Sequence, residues 1–247
     1  MSSCVQFLAP FGGGEAKWTT FLQILKDLQA QAGRDCSADV QLNCDLEGDA
    51  HGMRRFYVSR NNHHVKAEIA EAVQRYKRKH KVYTAYLRVL GVVERKIKRM
   101  CIKILPHKLV PKGSRPPPES FDEITQSRIL NQIRGRATLF TDGNESWCKA
   151  SRNKRNISQR NVSHRTRPFT KRVDPAWRGS SAIAGTQLID SQWGRLKSFV
   201  PSKLATKRNG KVNEALLVYM WMWLWRSCYA GDDLLASLFG LAKASIR

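Results

Sequence analysis

Two spacings of apolar residues organise this chain. From Trp18 to Gln31, Phe21, Leu22, Leu25 and Leu28 share one helical face, and Gly33 follows as a stop signal. Between Val40 and Gly48 the period changes to two. Leu42, Cys44 and Leu46 alternate with Asn43, Asp45 and Glu47, predicting a half-buried strand that ends at Asp49. Lys66 to Lys81 reads as a helix through Ile69, Val73 and Tyr76, with Arg75, Lys77, Arg78 and Lys79 on an outer face that is solvated or touches phosphate. Val82–Glu94 and Arg99–Leu105, joined by the basic residues Arg95 to Lys98, predict a β-hairpin. Pro106 to Pro118 is a stiff surface connector, because proline fixes φ and cannot donate to a strand ladder. Ser120 and Glu123 have capping-box spacing for a helix carried by Ile124, Ile129, Leu130 and Ile133 and closed by Gly135. A short strand, Ala137–Thr141, comes next. Thr186–Val200 returns to helix with Ile189, Trp193, Leu196 and Val200 on its core stripe, and Asn213–Tyr229 and Asp232–Lys243 complete a helical C-terminus.

The 247 residues are 42% hydrophobic, enough to bury a core, and carry 43 Lys and Arg against 20 Asp and Glu, a net charge of +23. Such an excess repels itself unless a polyanion neutralises it. Nucleic acid is the expected partner, with a membrane surface as the rival. The most apolar run, Ala215–Trp225, is far shorter than the ~20 residues of a spanning helix. Met1–Gly14 lacks a basic start followed by a long apolar stretch, so the expectation is no membrane and an intracellular location, nuclear in a eukaryote and otherwise cytoplasmic. Six cysteines without a CxxC pair argue against a zinc ribbon or a disulfide framework. The densest charge lies between Lys149 and Arg178, where ten basic residues face one acid, Asp174.

Candidate chemistry rests on acids at element ends. Asp49 and Asp142 each end a strand, while Gln187 and Asp190 lie one turn apart on a helix. Converging carboxylates suit Mg²⁺ or Mn²⁺ in a two-metal site that clamps both oxygens of a phosphodiester displacement. On spacing alone, Asp142-Gly143 also fits an ordinary turn. Trp221, Trp223 and Trp225 are distributed around their helix and read as core, whereas Trp147 and Trp177 fit base stacking or packing equally.

Four stretches resemble the catalytic domain of ISXO-type DDE insertion-sequence transposases. Leu46-Glu47-Gly48-Asp49 is similar to the first-acid strand, Val89 to Arg95 to the second strand, and Leu139-Phe140-Thr141-Asp142-Gly143 to the second-acid motif. Thr186 to Lys197 resembles the N-x-I-E-x-x-W-x-x-L-K helix, preceded by Asn161-Val162-Ser163-His164, similar to V-N-H-S. The resemblance implies a ribonuclease-H-like α/β fold: a mixed sheet with Val40–Asp49 central, the hairpin on one side and Ala137–Thr141 on the other, so that Leu46 and Leu139 are neighbours. Residues 1–36 would form an N-terminal helical arm and 37–247 the transposase domain.

By the same resemblance Asp49, Asp142 and Asp190 are catalytic metal ligands, with Gln187 as the other candidate third ligand. Asp190 is preferred, because a carboxylate binds a hard cation better than an amide. His164, Trp193 and Lys197, together with Arg165, Arg167, Lys171 and Arg172 of the basic run, are the expected DNA-binding residues. Lys197 also fits a solvated surface lysine, and His164 a structural role. The chain departs from the family at Ala50, where an acid often follows the first Asp, and at Met53-Arg54-Arg55, where glycines are expected. The implied activity is metal-dependent DNA cleavage and strand transfer, with possible oligomers on DNA ends. The alternatives are an inactive, domesticated transposase that binds DNA and, behind it, a basic RNA-binding protein.

Overall fold

The computed structural model describes residues 23–24, 26–35, 41–162, 170–173, 182–202, 204, 207–208 and 211–228. Its axis is one 18-residue strand, β1 (Leu42–Ser59). Along one edge β1 pairs antiparallel with β2 (Val82–Glu94), from Leu46 opposite Glu94 to Ser59 opposite Val82. Along the other it pairs parallel with β5 (Ile133–Thr141), and Leu46 sits directly opposite Leu139, the neighbours the sequence called for. β3 (Met100–Leu105) lies antiparallel outside β2, and β6 (Ile157–Asn161) parallel outside β5, giving the order β3-β2-β1-β5-β6. β4 (Leu109–Pro111) pairs with the start of β2. A short ribbon, β7 (Lys171–Val173) with β8 (Ala182–Ala184), and another, β9 (Lys207–Arg208) with β10 (Lys211–Val212), stand apart from this sheet.

Helices cover both faces of the mixed sheet, an α/β arrangement. Leu46, Leu90, Val92 and Leu139 pack with Ile124 of α3 (Phe121–Ser127) and Trp147 of α4 (Glu145–Arg152). The alternate residues of β2, Leu87, Val89 and Val93, pack with Ile189, Trp193 and Leu196 of α5 (Gln187–Phe199) and Met220 and Leu224 of α6 (Glu214–Cys228). Tyr83 and Ala85 continue the same face by the two-residue period and receive α2 (Lys66–Tyr76). Among the described residues no helix is long and apolar enough to cross a membrane.

Several boundaries differ from those the periodicity implies. α1 runs over residues 26–35 and passes through Gly33, which lies against the Trp221 carbonyl where a side chain would not fit. β1 continues ten residues beyond Asp49, because β2 supplies a partner as far as Ser59. The alternation at its start is also broken. Cys44 has φ 66° beside a register shift and is exposed, while Glu47 is buried. α2 stops at Tyr76, with Lys77 in the left-handed region. The capping box at Ser120 and Glu123 is present, but Arg128 turns left-handed, a 3₁₀ turn follows, and Ile133 already belongs to β5. The Pro-rich connector contains β4, with Leu109 and Val110 buried. Trp147 is fully buried, and Trp223 and Trp225 are core. Trp177 and the helix expected over Asp232–Lys243 lie outside the described residues.

Candidate active site

The parallel pairing brings the C-terminal end of β5 beside the first third of β1, and the last pair is Glu47 with Phe140. Asp49 therefore stands just beyond it on β1, and Asp142 just beyond Thr141 on β5. Asp142 Oδ1 accepts from the Asn144 backbone N–H at 3.1 Å, and Asn144 in turn caps α4 through Ser146 N–H at 2.9 Å. Both aspartates line a cleft of about 670 Å³, together with His51, Pro116 and Glu119.

Glu119 was not legible as a site residue. It enters from the Pro-rich connector, buried, with Oε1 accepting from Trp147 Nε1–H at 2.7 Å. Two indoles thus hold two carboxylates, for Asp49 Oδ2 accepts from Trp193 Nε1–H at 3.0 Å. Both indoles depend on glycine. Gly91, opposite Asp49, leaves the space that Trp193 fills, where a Cβ would come within 2.5 Å of the ring, and Gly48 gives Trp147 similar room. Trp193, expected at DNA, is instead 2% exposed and packs under the site.

Charge accumulates here. Burial, then Asp142, Glu119 and Asp190, push the Asp49 carboxyl up to about 8, against the opposing hydrogen bond from Trp193. Burial, aided by Asp142, likewise raises Glu119. Asp190, exposed in the first turn of α5, accepts from Thr186 Oγ1 at 3.2 Å. Gln187 is exposed with its amide turned back against Gly185, so of the two candidate third ligands Asp190 is the one whose charge reaches Asp49. His51 stacks on Trp193 at 5.7 Å, and its buried Nε2 makes no hydrogen bond with a described residue. Burial and the charge of the nearby Lys197 lower it to about 4.

The helix bearing Asp190 is clamped to the sheet by a pair with no signature in the sequence, Glu47 and Arg95. Glu47 lies two positions before Asp49 on the same face of β1. Its Oε2 accepts from the Ile189 backbone N–H at 3.0 Å, and its Oε1 accepts from Arg95 Nε–H at 2.8 Å. Arg95 also donates to the carbonyls of Ile183 and Gly185, at 2.5 and 2.9 Å, and stacks 4.0 Å above the Phe140 ring. β1, the second strand and the approach to α5 are thereby tied at one point.

Of the expected DNA contacts, Lys171 and Arg172 are exposed on β7, Lys197 is exposed on α5, and His164, Arg165 and Arg167 lie outside the described residues. As the side chains stand, no three His, Cys, Asp or Glu groups among the described residues are arranged to grip one ion. No protein-family model, curated protein or solved structure matches this chain.

Proposed function

We propose that this chain is a transposase or transposase-derived protein with a ribonuclease-H-like fold, binding DNA and catalysing metal-dependent phosphodiester cleavage and strand transfer. The observation that carries the reading is the meeting of Asp49, Asp142 and Glu119 in one cleft, with Asp190 on the adjoining helix close enough to act on Asp49. The sheet order supports it, with an antiparallel meander of three strands followed by two parallel ones, and Asp49 and Asp142 just past the last pairing of β1 with β5.

The donor chemistry fits a hard divalent cation. Oxygen ligands from separate elements face one cleft, and Asp49 is held in a protonated state that a positive charge would reverse. Asp49 and Asp142 would hold Mg²⁺ or Mn²⁺, with Asp190 preferred over Gln187 as third ligand, and drawing them onto one ion requires their side chains to turn. When bound, the metal supplies Lewis acidity toward the scissile phosphate and activates water. The chain itself positions: Trp193 orients Asp49, Trp147 orients Glu119, and the Glu47–Arg95 clamp fixes the start of α5. Lys197 supplies positive charge beside the cleft for a phosphate.

Mn²⁺ should therefore raise the melting temperature of the native chain. Asp142→Asn and Asp190→Asn should each remove most of that shift, and Gln187→Ala should leave most of it. A full shift in Asp142→Asn would place the metal elsewhere, and loss in Gln187→Ala but not Asp190→Asn would exchange the third ligand. The basic surface also supports a second reading, DNA binding without cutting, which the departures at Ala50 and Met53-Arg54-Arg55 favour.

A further inference from the structure

The basic run after α2, whose outer face is either solvated or set against phosphate, lies away from the carboxylates and has no part in the proposed catalysis. Lys77 caps the helix at φ 50°, directing the chain from Arg78 to Lys81 along the surface before β2 begins. The Arg60 backbone N–H donates to the Lys81 carbonyl at 3.1 Å, bringing the end of β1 beside this run. Between them lies a cleft of about 410 Å³ lined by Arg60, Asn61, Lys79 and His80, with Ile69 and Val73 among its apolar residues and no carboxylate. His80 is held in place by its backbone N–H, which donates to the Tyr83 hydroxyl at 3.2 Å. Arg60, Lys77, Arg78, Lys79 and Lys81 are all exposed, and none forms an ion pair with a described residue. The helix dipole explains a cation such as Arg75 in the last turn, which already has Glu71 as partner. It does not explain the arginine brought in from β1.

We infer that this corner is a second contact for the phosphate backbone of duplex DNA, separate from the carboxylate cleft. β1 continues from Asp49 to Ser59 through one bulge between Gly52 and Arg54, and those ten steps (59 − 49) cover about 30–33 Å at ~3.3 Å per residue, the bulge shortening the span slightly. One turn of B-form duplex advances about 34 Å. Asp49 bonds to α5 and the corner is built on α2, and both helices pack on the same face of the sheet. A duplex lying along β1 thus presents its backbone to the carboxylates and, one turn later, to Arg60, Lys79 and Lys81. That match favours a stiff duplex over a single strand or a lipid surface.

The inference rests on the DNA reading above and is tested without metal. Anisotropy of a labelled 24-base-pair duplex is measured in EDTA across a NaCl series. The proteins are the native chain, Arg60→Gln/Lys77→Gln/Lys79→Gln/Lys81→Gln, and a control losing equal charge elsewhere, Lys96→Gln/Lys98→Gln/Arg128→Gln/Arg134→Gln. Effects of lost net charge are common to both variants and cancel in the comparison. At about 0.9 per neutralised phosphate, the corner variant should lower the log–log salt slope by about 3 to 4 and weaken binding at least tenfold, clearly more than the control. Equal losses in the two variants would reduce the corner to its share of net charge and overturn the inference while leaving DNA binding intact. Absence of duplex binding by the native chain would instead remove the DNA reading itself. Loss of binding to phosphatidylserine vesicles with duplex affinity unchanged would make the corner a membrane contact and overturn the inference as well.

Discussion

Glu123→Ala is expected to destabilise the chain by about 3–5 kcal/mol, the usual effect of stranding one member of a buried ion pair. Arg88 is 2% exposed and holds both Glu123 oxygens, at 2.6 and 3.0 Å. Lys108 adds a contact at 2.9 Å, and the Ser120 backbone N–H another at 2.9 Å. Removing the carboxylate leaves the Arg88 guanidinium in the interior with only the carbonyls of Pro118 and Pro106 to receive its donors. Urea unfolding measures the loss. Arg88→Met/Glu123→Leu should be far milder, since it strands no charge.

The same pair predicts an acid limb. Burial alone would raise Glu123, but the hydrogen bonds from Arg88, Lys108 and Ser120 outweigh it and hold the carboxyl at about 2. A folded-state value below the unfolded one contributes stability above about 4.5 that is lost as pH falls toward 2. Glu123→Gln should lose that limb. The consequence reaches the site, because Arg88 and the capping box anchor the backbone on either side of Glu119.

The second large effect has the opposite sign. Asp49 titrates at about 8 in the folded chain and near 3.8 when exposed, so between those values the folded state keeps a proton that the unfolded state has released. Without divalent metal, stability should therefore fall as pH rises from about 4 to 8, by up to about 1.4 kcal/mol per pH unit for one proton. Asp49→Asn, neutral throughout, should flatten this slope and be more stable than the native chain at pH 8. Melting temperatures in EDTA across that range check it. An unchanged slope in Asp49→Asn would mean that burial and the neighbouring carboxylates do not hold a proton on Asp49.

Much of this arrangement is legible in the chain because it follows from periodicity. Period-two alternation puts Leu46 on a strand and a short apolar run puts Leu139 on another, strand order and the family resemblance set the two side by side, and the 3.6-residue stripe of Ile189, Trp193 and Leu196 sets the face of α5. What escapes is long-range. Nothing local in Pro118-Glu119-Ser120 reveals that Trp147, 28 residues on, reaches back to that carboxylate. Trp193 is expected at DNA from the sequence, yet its place beneath Asp49 follows from the missing side chain of Gly91 on β2, 102 positions earlier in the chain (193 − 91). Glu47 could have been found, since two positions before Asp49 means the same face of β1. Its partner Arg95 could not, because it sits in a turn whose neighbours are set by tertiary packing.

The most direct test is nicking of supercoiled plasmid by the native chain in Mn²⁺, beside EDTA and an Asp142→Ala control. Cleavage that requires Mn²⁺ and falls at least a hundredfold in Asp142→Ala is the expected result. Plasmid bound by the native chain but left intact in Mn²⁺, or nicked equally by Asp142→Ala, would contradict a catalytic role for these carboxylates.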